Sequence, residues 1–408
     1  VNKAYKVRLY PTEKQKAQID LTIHSCRFLY NKMLAERIEV YENLKDNKDA
    51  LYAYKYKSPA DYKKEFPFLK EASSWALNNE KRFLQSAYKN FFRRVKAEGG
   101  NVGFPKFKTR KTDKLSYTDY RCLGIPRVDG SRLTMNKIKE IKFRGLSDDF
   151  HGEIKSVTIE KTRSGKYYAS ILTEFDEPDK KERIGDGVVG VDLGLKTFIS
   201  TSDGRSFTGI KTRLKEFDLK LRRQYKHLSR KVVNSSNWNK CRVKLNRIWD
   251  SRRFFINNFQ WALANKLCRE NQTVVLESLN VKGMLKNKRL SHAIHEVNWS
   301  SFVERLKQKA IEYGTEIVQV PRFFPSSKMC SRCGAIKQDL KLSDRIFRCE
   351  CGFVQDRDLN AAVNIKNYFL YYTSPKNDEY SRRENIRPQD VSYDNRGGFY
   401  EAVIVLRS

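Results

Sequence analysis

Hydrophobic and polar positions alternate at first and then fall into step every three or four residues. The switches between the two rhythms divide the chain. Residues 3–10 (KAYKVRLY) alternate, placing Tyr5, Val7 and Leu9 on one side of a half-buried strand. Pro11-Thr12 then opens a helical region reaching roughly residue 98, in whose second half Leu77, Leu84, Tyr88, Phe91 and Val95 recur at helical spacing; Gly99-Gly100 stops it. From about 102 to 180 the strand rhythm returns. GEIKSVTIEKTRSGKYYASILTEF reads as a hairpin turning at Ser164-Gly165. The expectation over residues 1–180 is a β unit interrupted by a helical insert.

The segment 176–187 (DEPDKKERIGDG) is polar and turn-rich and reads as a linker. VVGVDLGLKTFISTSDG then reads as a buried strand, a tight glycine turn and a second strand. Two long basic helices follow, separated by the polar stretch Val233 to Asn239. In the second, Leu245, Ile248, Phe255, Phe259 and Ala262 form an apolar stripe that Arg252 breaks. TVVLE (273–277) and TEIVQV (315–320) are further buried strands, and their alternation with helices implies an α/β sheet. The tail after about 373 lacks periodicity and is expected to be mobile.

Composition narrows the partner. The chain has 408 residues, enough for two to three domains, and a formal net charge of +33. Self-repulsion on that scale is tolerable mainly when a polyanion neutralises it, so nucleic acid is the expected partner. A membrane is the weaker alternative: no stretch approaches the roughly eighteen apolar residues of a spanning helix, and no secretory h-region opens the chain. An aromatic fraction of 12% argues against a disordered basic tail. Between residues 211 and 253 fifteen Lys or Arg stand against three acids. Lys220, Arg222, Arg223, Lys226, Arg230 and Lys231 would line a channel for phosphates, contacts that fix register without reading sequence.

Of the eight cysteines, Cys26, Cys122, Cys241 and Cys268 are scattered singly and read as buried packing. The other four cluster. Two residues separate Cys330 from Cys333, fifteen residues pass, and Cys349 and Cys351 follow. Paired knuckles of this kind present four thiolates to tetrahedral zinc, and the pattern fits a reducing cytosol. Three acids stand at strand or helix ends of the second half. Asp192 in GVDLG and Glu277 at the end of TVVLE put charge into apolar strands, which is expensive unless a metal or a partner neutralises it. Asp358 enters a helix. Singly, each acid could equally cap a helix or form a salt bridge. Converging, they would hold two magnesium ions about 4 Å apart for phosphodiester hydrolysis.

GVDLGLKTF, VVLESLNVKGMLKNKRLS, the cysteine ribbon and DRDLNAAVNI, in that order, resemble the TnpB proteins of bacterial insertion sequences, compact relatives of type V CRISPR effector nucleases. The N-terminal KVRLYPTEKQ, CRFLYNKML, AYKNFFRRVK and GFPKFK are similar to the same family, so the resemblance covers about residues 3–370. It implies a multidomain α/β protein and an RNA-guided DNA endonuclease. An RNase H-like (RuvC) nuclease domain would carry an inserted zinc ribbon, and an oligonucleotide-binding-like β-barrel (the wedge) would carry a helical recognition insert. The implied boundaries are 1–11 and 102–182 for the wedge, 12–101 for the recognition insert, 183–322 and 356–372 for RuvC, 323–355 for the zinc-ribbon target nucleic-acid-binding domain and 373–408 for the tail.

By match of motif, Asp192, Glu277 and Asp358 correspond to the family's catalytic acids. The acid before x-Asn-Ala-Ala selects Asp358 over Asp356, which is left as a supporting group or a cap. Tyr54, Ser74 and Asn78 occupy positions suited to reading a short duplex motif; Ser74 and Asn78 share a helix face, and Asn can bond adenine bidentately. The implied partners are a guide RNA from the transposon end and double-stranded target DNA, with one protein per guide, in a prokaryotic cytoplasm at the nucleoid. One departure is visible: Cys349-Glu350-Cys351 has a single intervening residue where many family ribbons have two, which tightens the chelate. Two other functions use similar parts. An RNase H-fold transposase would require a multimerisation segment, and none is evident. A guided repressor would have lost the three acids.

Overall fold

The computed structural model describes residues 2–372 apart from 99–101, 111–113, 121–123, 147–149, 176–180, 209 and 342. Gly99-Gly100, Cys122, the first part of the 176–187 linker and the tail from 373 therefore lie outside the described residues. The chain divides into two compact units, Val1–Glu177 and Pro178–Ser408.

The first unit begins with β1 (Asn2–Tyr10), and helices follow at once: α1 (Glu13–Leu44), α2 (Lys48–Ala53), α3 (Pro59–Glu65) and, after a 3-10 turn, α4 (Ser74–Glu98). A capping box starts α1. Thr12 Oγ1 accepts from the Gln15 amide, and Gln15 Oε1 accepts from the Thr12 amide at 3.0 Å. The strands β2 (Leu115–Tyr120), β3 (Arg127–Asp129), β4 (Arg132–Met135), β5 (Lys139–Arg144), β6 (Glu153–Lys161) and β7 (Tyr167–Glu174) complete the unit. They join β1 in a seven-stranded antiparallel sheet of order β2-β6-β7-β1-β5-β4-β3. β1 is central although it comes first in sequence, so the helices are an insertion between strands of one sheet. Alternation works as expected: Tyr5, Val7 and Leu9 are buried, and Gly165 turns the β6–β7 hairpin at φ +81°. Their face packs on Ile19, Ile23 and Leu29 of α1 and on Leu77 and Leu84 of α4.

The second unit is built on β8 (Gly187–Leu193), β9 (Ile199–Thr201), β10 (Ser206–Phe207), α5 (Ile210–Ser229), α6 (Ser236–Glu270) and β11 (Asn271–Glu277). After these come α7 (Val281–Met284), α8 (Lys288–Val297), α9 (Trp299–Tyr313), β12 (Glu316–Val320), the short strands β13 (Ile346–Arg348) and β14 (Val354–Asp356), and α10 (Arg357–Tyr372). The main sheet has the order β10-β9-β8-β11-β12; β8, β11 and β12 are parallel, and β9 and β10 antiparallel. Its strands are apolar on both faces because both are covered. Val189, Val191, Val274 and Leu276 face a core that includes residues of α5, α6 and α9, while Val275 and Val320 face Ile365 and Phe369 of α10.

Two expectations need correction. The buried line of α6 runs through Cys241, Leu245, Arg252, Ile256, Gln260 and Leu263, and Ala262 is exposed. Arg252 belongs to that line. Its guanidinium pairs with Glu296 and lies 3.6 Å from Asp218, so the charge is buried with partners. Nor is the end of the 176–187 segment a free linker. Lys181 and Ile184 amides donate to the Glu312 and Arg269 carbonyls, and Arg183 donates to the Gly314 carbonyl at 2.6 Å. No helix among the described residues is long and apolar enough to cross a membrane.

Among the described glycines of the second unit, Gly190 is the most closely enclosed. A Cβ there would lie 2.1 Å from the Ala362 carbonyl oxygen and 2.5 Å from the Lys366 amide, both backbone atoms of α10. Gly190→Ala is expected to cost about 1–3 kcal/mol, as overpacking does. Gly187→Ala on the same strand, with nothing within 4 Å, should stay within roughly 0.5 kcal/mol. Thermal unfolding of the two variants measures the difference.

Candidate active site and metal centre

The pleat of the main sheet decides where the acids point. Gly190 and Asp192 lie on the same face of β8, and Val275 and Glu277 on the same face of β11, because alternate residues share a side. The parallel register sets Val275 opposite Gly190 and Leu276 opposite Val191, so Glu277 comes next to Asp192 at the carboxyl ends of adjacent strands. That face is the one α10 covers. Asp358 stands in the first turn of α10, over the same strand ends.

All three side chains are half-buried. Asp192 is hydrogen-bonded to Glu277; loss of hydration and the charges of Glu277 and Asp358 hold its carboxyl well above the ordinary carboxylate range, and Arg357 opposes them only weakly. Glu277 Oε1 accepts a 3.0 Å hydrogen bond from Ser326, which fixes its orientation. Asp356 is a cap: its Oδ1 accepts from the Asp358 and Leu359 amides at 3.0 and 3.1 Å. Its carboxylate is thereby committed to the backbone, and that of Asp358 is left for the cluster.

The four cysteines meet in space. Cys330, Cys333, Cys349 and Cys351 bring their sulfurs within 4.8 Å of one another, the one His, Cys, Asp and Glu cluster this tight among the described residues. The three carboxylates are spaced more widely. Sulfurs of a tetrahedral zinc site with Zn–S of about 2.3 Å should lie roughly 3.8 Å apart. Here Cys330 Sγ is 3.8 Å from Cys351 Sγ, and Cys333 Sγ is 3.5 Å from Cys349 Sγ. The shortened second knuckle is accommodated by Gly352, which turns it at φ +81° as Gly334 turns the first at +77°. The Phe353 amide donates to Cys351 and pulls its thiol down to about 7, whereas burial raises Cys330 and pushes Cys333 up to about 12, so a metal would have to displace their protons on binding. The donor set therefore fits structural zinc.

Sequence reasoning missed what joins ribbon to acids. Asn360 Nδ2 donates to the Met329 carbonyl at 2.8 Å, and its Oδ1 accepts from the Ser331 amide at 3.0 Å. Asn364 Nδ2 donates to the carbonyls of Met329 and Ser326 at 2.6 and 2.8 Å. Both asparagines are buried. Two poor helix formers one turn apart on the inner side of a helix were the available signal.

The expected nucleic-acid contacts are not gathered at this site. Lys220, Arg222, Arg223 and Lys226 wrap the free side of α5, opposite buried Leu214, Phe217 and Leu221, and Arg230 and Lys231 follow its end; all six are exposed. In the first unit, Ser74 and Asn78 are exposed one turn apart on α4. Ser74 accepts from Lys63 Nζ at 2.7 Å, and the exposed Tyr54 donates to Glu36 at 3.4 Å.

Known proteins resemble the chain along most of its length. Residues 170–288 match a family described as "Probable transposase", residues 299–365 one described as "Cas12f1-like, TNB domain", and residues 1–46 one described as "Helix-turn-helix domain". In the last span the fold is β1 followed by the single unbroken helix α1. A candidate RNA-guided DNA endonuclease from Streptomyces pristinaespiralis is 34% identical over 375 residues, covering 90% of this chain and 89% of that protein. Another, InsQ of Escherichia coli, is 28% identical over 381 residues, covering 89% and 91%. Among solved structures, a Cas12f1–sgRNA–target DNA complex aligns over 90% of this chain and 99% of that one at 15% identity, with a TM-score of 0.35.

Two measurements probe these centres. Elemental analysis should find one zinc per chain, and Cys330→Ser should lose it and lower the melting temperature. For the acids, the raised Asp192 pKa means that ionising this group opposes folding. The penalty is absent below the unfolded carboxylate pKa, where Asp192 is protonated in both states, and complete above the folded one. In chelator, Asp192→Asn should therefore melt higher than the parent at pH 7.5, by on the order of 2–4 °C for each kcal/mol relieved, and the gap should close toward pH 4.

Proposed function

The chain belongs to the TnpB family, and we propose that it is an RNA-guided DNA endonuclease that hydrolyses phosphodiester bonds at Asp192, Glu277 and Asp358. The observation that carries this reading is the meeting of three carboxylates, one of them held well above its normal pKa by burial and by the other two, at the open ends of two parallel strands. The strand order β10-β9-β8-β11-β12, with three antiparallel strands followed by two parallel ones, supports an RNase H-like (RuvC) nuclease domain over 183–322 and 356–372. The cysteine hairpin between them is read as the target nucleic-acid-binding ribbon. The antiparallel sheet of the first unit, with helices inserted after its first strand, supports a wedge with a recognition insert. The seam of such a barrel would fall between the edge strands β2 and β3.

In this reading the acids would hold two magnesium ions, which when bound supply positive charge against the scissile phosphate and acidify the attacking water. The chain does the positioning. Ser326 holds one oxygen of Glu277 and so fixes that carboxylate beside Asp192. Asp356 fixes the first turn of α10, and with it the height of Asp358 over the strands. The guide RNA reads the target by base pairing, so the protein needs phosphate contacts rather than base contacts along the duplex. The exposed cations of α5 and its end are suited to that, and Tyr54, Ser74 and Asn78 are assigned to the flanking duplex motif. One protein per guide RNA and a place at the nucleoid complete the proposal. A transposase reading, favoured by the name of the family matched over 170–288, predicts strand-transfer products instead.

The test is cleavage by the complex assembled with RNA that copurifies with the protein. Asp192→Ala should retain RNA and target binding while cutting falls on the order of a thousandfold. Undiminished cutting by the variant would remove the site assignment, and recovery of joined rather than cleaved DNA would favour the transposase.

A further inference from the structure

The loop that follows β12 carries an exposed aromatic side chain to which the reading above gives no role. β12 ends at Val320, which the parallel register sets opposite Glu277. Further along, Ser326 donates to Glu277 Oε1 at 3.0 Å. The loop 321–325 therefore has both feet beside Glu277. Phe323 stands midway between them, so its Cα lies at most about 11 Å from either foot, the reach of three extended residues.

This loop is firmly held. The Phe324 amide donates to the Pro321 carbonyl at 3.1 Å, closing a turn with Arg322 and Phe323 at its tip. Pro321 and Pro325 restrict the backbone on either side. The Ser326 amide donates to the Phe324 carbonyl at 2.9 Å, and Asn364 holds the Ser326 carbonyl at 2.8 Å. Phe324 turns inward onto Val275, Val320, Ile365 and Phe369, with its ring 5.1 Å from that of Tyr368. Phe323 turns outward at 67% exposure, the highest of any phenylalanine among the described residues. Among those residues, neither Phe323 nor the exposed Arg322 makes a hydrogen bond, an ion pair or a ring contact.

A lone exposed phenylalanine is ordinary; its placement here is not. A free ring and a free guanidinium share the tip of a rigid turn whose feet are tied to an acidic site. Carboxylates repel the phosphates of an entering strand, so other groups must hold it. Arg322 offers charge to a phosphate, and Phe323 offers a face to a base. Bases inside a duplex have both faces covered by their neighbours, so the ring selects an unpaired one. We propose that Phe323 stacks on an unpaired base of the DNA strand being cut, with Arg322 on a neighbouring phosphate, and that the loop 321–325 thereby fixes which phosphodiester reaches the acids. The contact is indifferent to base identity, because every base has a π-face. The proposal rests on the nuclease reading and adds to it a binding residue outside the acid cluster.

The experiment is single-turnover cleavage, by the RNA-loaded complex, of a target whose guide-displaced strand carries one abasic nucleotide moved stepwise along it. With the parent, an abasic nucleotide at one position or two adjacent ones should slow cutting on the order of tenfold, the loss of one stacked base. Phe323→Ala should be slowed to a similar degree on intact DNA, spread its cuts over neighbouring bonds and lose the abasic sensitivity, since ring and base form a single contact. Phe323→Trp should keep both rate and sensitivity, whereas Phe323→Leu, apolar but without a ring, should lose them. All three variants should melt with the parent, because the side chain is exposed. If Phe323→Ala melts lower, the comparison of Trp with Leu decides. Abasic penalties that persist in Phe323→Ala, or parental cutting by Phe323→Leu, would overturn the proposal. A binding arm separates it from the nuclease reading: the Asp192→Ala complex is bound to target carrying 2-aminopurine at the same positions. Fluorescence should be quenched at the stacking position and recover when Phe323→Ala is added. A signal indifferent to Phe323 sinks the stacking contact, whereas a parent complex that does not cut, with the quenching intact, counts against the nuclease reading alone.

Discussion

The close seating of α10 on β8 is the constraint on which the candidate site depends. Strand and helix backbones approach until the Ala362 carbonyl occupies the space a side chain at position 190 would need. Glycine on the strand and buried Ala361 and Ala362 on the helix make that approach possible. Without it the helix would ride higher, and Asp358 at its first turn would be lifted away from Asp192 and Glu277. The cost is the conformational freedom a glycine loses in a strand. It is offset by packing Val275 and Val320 against Ile365 and Phe369.

A second set of bonds aligns the helix along its axis. The loop after β12 crosses α10, and two of its carbonyls are held by Asn360 and Asn364. Ser326 of the same loop reaches Glu277. In the other direction, β14 runs directly into the Asp356 cap, so the cysteine hairpin and the acid-bearing helix are one continuous piece of backbone. Free energy released if a metal closed the four thiolates, on the order of 10 kcal/mol for structural zinc, would therefore order the start of α10 as well as the ribbon. Cysteine hairpin and acid-bearing helix are thus joined both by hydrogen bonds and by the chain itself.

Much of this was legible beforehand. Period-two alternation located β1 and the β6–β7 hairpin, and a charge at the end of an apolar strand marked Asp192 and Glu277, since burying a carboxylate among valines needs a reason. What could not be read is of another kind. Arg252 looked like a break in the α6 stripe because a lone arginine on an apolar face gives no sign of its partners, and Glu296 and Asp218 are remote in sequence. Arg183 looked like part of a polar linker because the carbonyls it bonds come from the end of α9. Asn360 and Asn364 bond backbone carbonyls, which every residue has, so their own spacing on the helix was the one trace of these contacts. Local rhythm is visible in a sequence; pairing across a hundred residues is not.

The chain's excess of positive charge does not by itself relieve its acid cluster. Two carboxylates about 4 Å apart repel by about 4 kcal/mol at the effective dielectric of a protein near its surface. Lysines and arginines on the outer face of α5 act across water, where their field decays over about 8 Å at physiological salt. Arg357, whose charge favours an ionised Asp192, is engaged elsewhere, donating to the Lys341 carbonyl at 2.9 Å. A protein carrying +33 overall thus keeps a local negative site uncompensated. Protonating Asp192 is one way to relieve it, consistent with its hydrogen bond to Glu277. Divalent cations held between the carboxylates would be the other.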